Sequence, residues 1–223
     1  MTSPKPPRPR AQSDSPFDTM SEWFELYNKQ ITWGVVGVAA VAAGIWFYSR
    51  SQTLKAEKAE RAFMTAVQSI PGNMPLAESD LRKLIQRYDG TPAANQAQLA
   101  LARAFYQENR YQDGINSLSK GMPSLSKSKD FEAAGHLLLA AGYEQMKKYL
   151  DAASEYGLAA KVARFDADRQ RHESAQARAY LEAGRTEAAK EIWTRLAADS
   201  KGTVAGEARV RLGELEAKAE PKS

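Results

Sequence analysis

The pattern of apolar and polar positions changes character several times along the chain. Residues 1–16 carry five prolines and, after Met1, no large apolar side chain, which predicts a disordered, extended tail. From 17 to 30, Met20, Trp23, Phe24 and Tyr27 recur on one helical face, and Thr19 and Glu22 have capping-box spacing, so an amphipathic helix is predicted. Ile31 to Tyr48, ITWGVVGVAAVAAGIWFY, then runs apolar all round, without a charge, between Lys29 and Arg50. Helical period resumes through Ala56, Ala59, Phe63, Ala66 and Ile70 until Pro71-Gly72. A further helix over Leu76–Tyr88 places Leu81, Leu84, Ile85 and Tyr88 on one face and stops at Asp89-Gly90.

The uncharged run has the dimensions of a membrane span. Its 18 residues reach about 27 Å at ~1.5 Å per residue, near the thickness of a bilayer's hydrocarbon core. A helix satisfies its own backbone groups, which lipid cannot. Trp33 at one end and Trp46, Phe47 and Tyr48 at the other suit the headgroup level. Ala40-Val41-Ala42 has the small-residue pattern of a signal-peptide cleavage site, but the apolar run continues past it and little positive charge precedes it. The reading is therefore an uncleaved anchor at 31–50, with the 17–30 helix lying in the membrane interface before it. Gly37, Ala40 and Gly44 share a face and would let another membrane helix approach closely.

Beyond residue 91 the chain repeats. Ala102 and Phe105 in one helix, then Tyr111, Gly114 and Leu118 in the next, recur as Ala140 and Tyr143, then Tyr149, Ala152 and Tyr156. They recur again as Ala177 and Tyr180, then Thr186, Ala189 and Trp193, at offsets of 38 and 37 residues. Turns at Glu108-Asn109-Arg110, Lys147-Lys148 and Ala183-Gly184-Arg185 separate the paired helices. Small residues at fixed positions let the two helices of a hairpin touch. Hairpins that cannot bury their apolar faces alone must stack. Thr203–Ala217, with Val204, Ala208, Leu212 and Leu215 inward, is the expected cap.

Charge and chemistry narrow the function. The net charge is +4, yet residues 51–223 hold 26 basic against 23 acidic residues with both signs interspersed. That is a solvated helical surface and not the basic stripe that nucleic acid requires. There is no cysteine, hence no disulfide or thiol chemistry. His136 and His172 lie at nearly equivalent places in successive repeats without a ligand cluster, so no metal site is expected. Glycines occur singly, so no phosphate-binding loop is expected. Asp166 and Asp168 suit a helix start, and Trp193 a core position. No catalytic constellation and no cofactor are expected, and binding is the natural role.

The repeating small and aromatic residues resemble the tetratricopeptide repeat, with Gly114 in place of the customary Ala and Thr186 in place of an aromatic. The slightly long spacing suggests long loops, such as Met122–Lys129. The expected fold is all-α: a single amino-terminal transmembrane helix followed by a TPR-like α-solenoid of stacked hairpins. Its divisions would be a tail at 1–16, an interfacial helix at 17–30, the anchor at 31–50, a connecting helical hairpin at 51–90, the repeat domain with its capping helix at 91–217, and a tail at 218–223. The repeat resemblance implies a concave face lined by the first helix of each pair. Here that face comprises Gln96, Leu99, Arg103 and Tyr106, then Leu137, Glu144 and Gln145, then Arg171, Arg178 and Glu182.

The whole layout, with the stretches TVAGEARVRLGELEAK, AAKEIWTRLA and ANQAQLALARAFYQENRYQDGINSL, is similar to the YfgM-like ancillary subunits of the bacterial SecYEG translocon. That resemblance implies a bacterial inner-membrane protein with a cytoplasmic amino terminus and a periplasmic repeat domain. Its implied partners are the SecYEG translocon, a membrane-anchored prolyl-isomerase chaperone and newly exported polypeptides. Charge alone points the other way. Arg50, Lys55, Lys58 and Arg61 follow the span closely, and only Lys29 precedes it closely. Large domains, however, translocate largely regardless of charge. The alternative expectation is a scaffold of a cell-envelope or cell-division assembly unrelated to export.

Overall fold

The computed structural model describes the backbone of residues 16–70 and 72–219 and the side chains of residues 32–70 and 72–217. The tail expected at 1–16 is therefore almost wholly outside the described residues, as are the side chains of the expected 17–30 helix and most of the tail at 218–223. Among the described residues every regular element is a helix. Two compact units, residues 1–53 and 54–223, divide the chain between Thr53 and Leu54.

The first unit holds most of α1, Pro16–Gln68. The amphipathic segment, the apolar run and the segment after it form one continuous helix, because no proline interrupts positions 17–70. The segment Thr32–Gln68 is long and apolar enough to cross a membrane, and none of its apolar window is buried. Trp33, Val38, Trp46 and Phe47 expose about 70% of their surface. A side-chain carbon added at Gly37 or Gly44 would meet nothing within 4 Å, and Ala40 is exposed beside them.

The second unit begins with the end of α1 and continues through α2 (Met74–Arg87), α3 (Pro92–Gln107), α4 (Tyr111–Leu125), α5 (Lys129–Gln145), α6 (Tyr149–Val162), α7 (Asp166–Glu182), α8 (Thr186–Ala198) and α9 (Ala205–Ala219). Local chemistry sets the starts. Asn73 accepts the Leu76 N–H at the head of α2, and Thr91 accepts the Ala94 N–H at the head of α3, where Pro92 occupies a position that needs no donor.

The hairpin turns repeat at the same register as the sequence. Asn109, Lys147 and Gly184 all sit in the left-handed region, at φ of 61°, 57° and 72°. After each, an N–H donates back into the preceding helix: Arg110 to the Phe105 carbonyl, Lys148 to Tyr143 and Arg185 to Tyr180, at 2.8–2.9 Å. This is the hydrogen bond of a Schellman cap, which satisfies carbonyls that the helix leaves unpaired.

The long repeat spacing resides in the helices. α4 runs through Pro123 to Leu125, so only Ser126–Ser128 join it to α5, and the expected Met122–Lys129 loop does not form. Met122 and Leu125 pack on the core instead, with Leu118 and Leu139, and that burial holds the last turn despite the missing donor at Pro123.

Packing follows the small residues. Ala102, Ala140, Ala152, Ala177 and Ala189 are fully buried where paired helices touch. Among the described residues, four apolar clusters run along the stack. The first joins Ala66, Leu81, Leu84, Leu101 and Phe105, so the segment expected as a connecting hairpin shares its core with α3. Another joins Ala177, Trp193, Leu196, Val204 and Ala208, with Leu212 and Leu215 against them, so α9 packs on α7 and α8. The loop before α9 is tied to α7 by Gln170, whose Oε1 accepts the Thr203 N–H at 2.8 Å and whose Nε2 donates to Asp199.

Candidate protein-binding surfaces

The residues expected on the first-helix face divide into three kinds. Arg103, Gln145 and Glu182 are exposed and have neither an ion pair nor a side-chain hydrogen bond among the described residues. Gln96 and Leu137 are half-buried beside them. A second group is committed to neighbours. Arg178 donates to Glu207 on α9 at 2.8 Å, and Arg171 donates to Asp168 one turn earlier. Glu144 accepts from the Tyr156 hydroxyl at 3.1 Å.

The third kind is structural. Leu99, expected on the surface, is only 6% exposed and packs with Ala102, Ile115 and Leu118. α3 is contacted by α5 as well as by α4, and that second contact turns position 99 inward. Tyr106 is half-buried and donates its hydroxyl to the Leu138 carbonyl of α5 at 2.9 Å. Its phenol fills the space that side chains at Gly114 and Gly142 would need, since an added carbon would lie 2.3 Å from ring Cε1 at Gly114 and 2.3 Å from the hydroxyl oxygen at Gly142. Gly114 departs from the usual alanine for this reason: the larger Tyr106 occupies the alanine's space.

Electrostatics along this face are those of half-buried phenols. Burial, reinforced by the charge of Glu144, pushes the Tyr156 hydroxyl up to about 12. Burial also raises Tyr106 and Tyr143, and it lowers His172.

A polar register runs through the stack that sequence reading missed. Gln98, His136 and Glu173 are separated by the repeat offsets, 38 and then 37 residues, and each reaches the second helix of its hairpin. Gln98 Nε2 donates to the Ser117 carbonyl and hydroxyl at 2.9 and 3.0 Å. His136 Nδ1 lies 2.6 Å from Glu155 Oε2. Glu173 Oε1 lies 3.3 Å from Arg195 and 3.7 Å from Arg169, while its Oε2 is buried without a partner. The equivalent of His136 is thus Glu173, and His172 lies one position away. The signal was available as polar residues four places before each buried alanine, where an apolar residue is the default.

On the side of α3 away from Arg103, a groove of about 710 Å³ opens between α2 and α4. Asn95, Gln98 and Leu101 line its floor, and Arg82, Arg110 and Lys120 line its walls. None of the residues expected on the first-helix face lines it. Among the described residues no three His, Asp or Glu side chains converge to hold a metal ion.

Comparison with known proteins bears on the fold. A sequence model described as a tetratricopeptide repeat-like domain matches residues 21–170, a range that includes the apolar run as well as α2 to α6. Two crystal structures of a Podosopora anserina chain of the kinesin light chain kind, with nearly identical TPR-like repeats, are similar. One has a TM-score of 0.50 at 17% identity, covering 64% of this chain and 75% of that one. The other, a variant, has a TM-score of 0.51 at 17% identity, covering 67% and 77%. At that identity the likeness is one of fold alone. No curated protein matches this chain.

Proposed function

This chain belongs to the tetratricopeptide repeat-like domain family, and from that membership we propose that it is a non-enzymatic scaffold anchored in a membrane by residues 31–50. Domains of this kind bind protein partners in general. The observation that carries the tether is the apolar run of α1, whose window has no buried residue and lies inside the same family match as α2 to α6. Such a surface is unfavourable in water and favourable in lipid. Gly37, Ala40 and Gly44 would then contact another membrane helix. The remaining divisions would be an extended tail at 1–16, an amphipathic helix at 17–30 that lies in the interface once the backbone bends between it and the anchor, a linking hairpin at 51–90, repeats with their cap at 91–217 and a short tail at 218–223.

The finer reading rests on the resemblance to the YfgM-like subunits. The repeats face the periplasm from the bacterial inner membrane and hold a membrane-anchored prolyl-isomerase chaperone, or an exported client, close to the SecYEG translocon. Arg103, Gln145 and Glu182, exposed and uncommitted, lead the binding surface, flanked by Gln96 and Leu137. Sharing a membrane raises effective concentration, so individually weak contacts suffice.

Topology tests the reading first. The chain has no native thiol, so Ser13→Cys and Ser200→Cys each supply one for an impermeant reagent in intact cells. Labelling of the position 200 variant alone is expected. Labelling of the position 13 variant alone would place the repeats in the cytoplasm, as the cluster from Arg50 to Arg61 favours, and would end the export reading. Co-purification in mild detergent then separates a translocon partner from an envelope or cell-division assembly.

A further inference from the structure

The groove between α2 and α4 is built where packing would ordinarily close the structure. Asn95 and Gln98 are 8% and 6% exposed, one helical turn apart on α3, and both line the groove. Two donations to Ser117 fix the Gln98 carboxamide, which leaves its Oε1 as an acceptor. Gly121 makes the room for it. A side-chain carbon there would lie 2.6 Å from Gln98 Cγ and Cδ. Asn95 Oδ1 lies at 3.5 Å from the Ser124 hydroxyl, and the Asn95 Nδ2 hydrogens have no protein partner among the described residues. Both residues line the groove, so a donor on Asn95 and an acceptor on Gln98, one helical turn apart, are open to a ligand that supplies both.

We propose that this groove is a second protein-binding site, taking an extended polypeptide segment through its backbone and pairing an acidic side chain of that segment with Lys120. An extended backbone presents N–H and C=O groups along one edge, which is the complement that Gln98 Oε1 and Asn95 Nδ2 require. A helical partner has used those groups internally, and a simple anion offers no donor to Gln98. The walls supply the charge preference. Arg110 is held by Glu78, Glu108 and Asp113, Arg82 is held by Glu78, and Asp89 accepts the Ser124 hydroxyl. Lys120 has no ion pair among the described residues, which leaves its ammonium group for the ligand.

The groove is independent of the surface in the functional proposal above, since it lies on the other side of α3 from Arg103. The corresponding space between α6 and α8 is smaller, about 380 Å³, and Glu173 with Arg169 and Arg195 occupies its lining. The neutral donor–acceptor pair belongs to the first groove.

Fluorescence anisotropy on the full-length protein in detergent micelles tests this. The probe is a short, unstructured, fluorescein-labelled peptide of Ser, Thr and Glu. It is expected to bind, and the same peptide N-methylated at alternate amides, or with Lys in place of Glu, is expected not to. Lys120→Glu, an exposed change, should weaken binding by about tenfold or more. Gln98→Met, similar in size, should also weaken it, and Lys201→Glu, an exposed change away from both the groove and the first-helix face, should leave it unchanged. Lack of binding by the acidic peptide would overturn the proposal, as would equal binding of the N-methylated form or indifference to Lys120→Glu. Loss in Arg103→Glu alone would assign the peptide to the first-helix face and remove the groove as a site. If Gln98→Met melts the domain, the Lys120→Glu and N-methyl results still decide.

Discussion

Adding one methyl group at Gly142 should damage the stack although it improves the helix. Gly→Ala in a helix interior ordinarily gains about 1 kcal/mol. Here the new carbon would lie 2.3 Å from Tyr106 Oη, 2.7 Å from Cζ and 2.9 Å from Ile115 Cγ1. The phenol cannot swing clear, because its other side lies against Gly114 and its hydroxyl is bonded to the Leu138 carbonyl. Overpacking of this kind costs about 1–3 kcal/mol, and loss of the hydrogen bond adds about 1 kcal/mol. The net expectation is a destabilisation of about 1–3 kcal/mol. Urea melts of the full-length protein in micelles, followed by far-ultraviolet circular dichroism, measure it. Tyr106→Phe removes the nearest atom, so Gly142→Ala should cost about 1 kcal/mol less in that background. A neutral or stabilising Gly142→Ala, or an equal cost in both backgrounds, would refute the account of Tyr106 as the wedge between α3, α4 and α5.

Two other outcomes follow from the turns and the buried phenols. Lys147 carries a side chain at φ 57°, where Gly184 stands in the next repeat, so Lys147→Gly should stabilise by about 0.5–1 kcal/mol in the same melts. A loss of stability there would mean that the lysine side chain supports the turn. The Tyr156 hydroxyl is raised from 10.0 to about 12, and Tyr106 is raised as well, so the folded state keeps protons that the unfolded state releases. Their contribution is full below pH 10 and falls away as pH rises from 10 towards 12. Melts across that window should show this fall, and it should be shallower in a Tyr106→Phe, Tyr156→Phe double variant.

Much of the architecture was legible because helical period, small-residue spacing and turn residues are local. Ala102, Ala140 and Ala177 marked the hairpins, and Asn109 and Gly184 marked turns that need a left-handed residue. Lys147 at the same register shows that repeat position outweighs residue preference. The long spacing misled the loop expectation, since nothing local reveals that Met122 and Leu125 find a core contact to hold the helix past Pro123. The candidate faces were less legible. Periodicity placed Leu99 beside Arg103, and only the approach of α5 decides which of the two is buried.

The sequence by itself determined an all-helical chain, a charge-free run of bilayer length and a repeat of 37–38 residues, because each depends on neighbours within a few turns. Tertiary structure alone decided that Tyr106 would wedge against two glycines 28 residues apart, since 114 and 142 come together only when hairpins stack. It also decided that Gln98, His136 and Glu173 would become one polar seam with three different partners. Which buried polar group keeps an unmet hydrogen bond depends on the side chain facing it from another helix, and periodicity within one helix does not specify that partner.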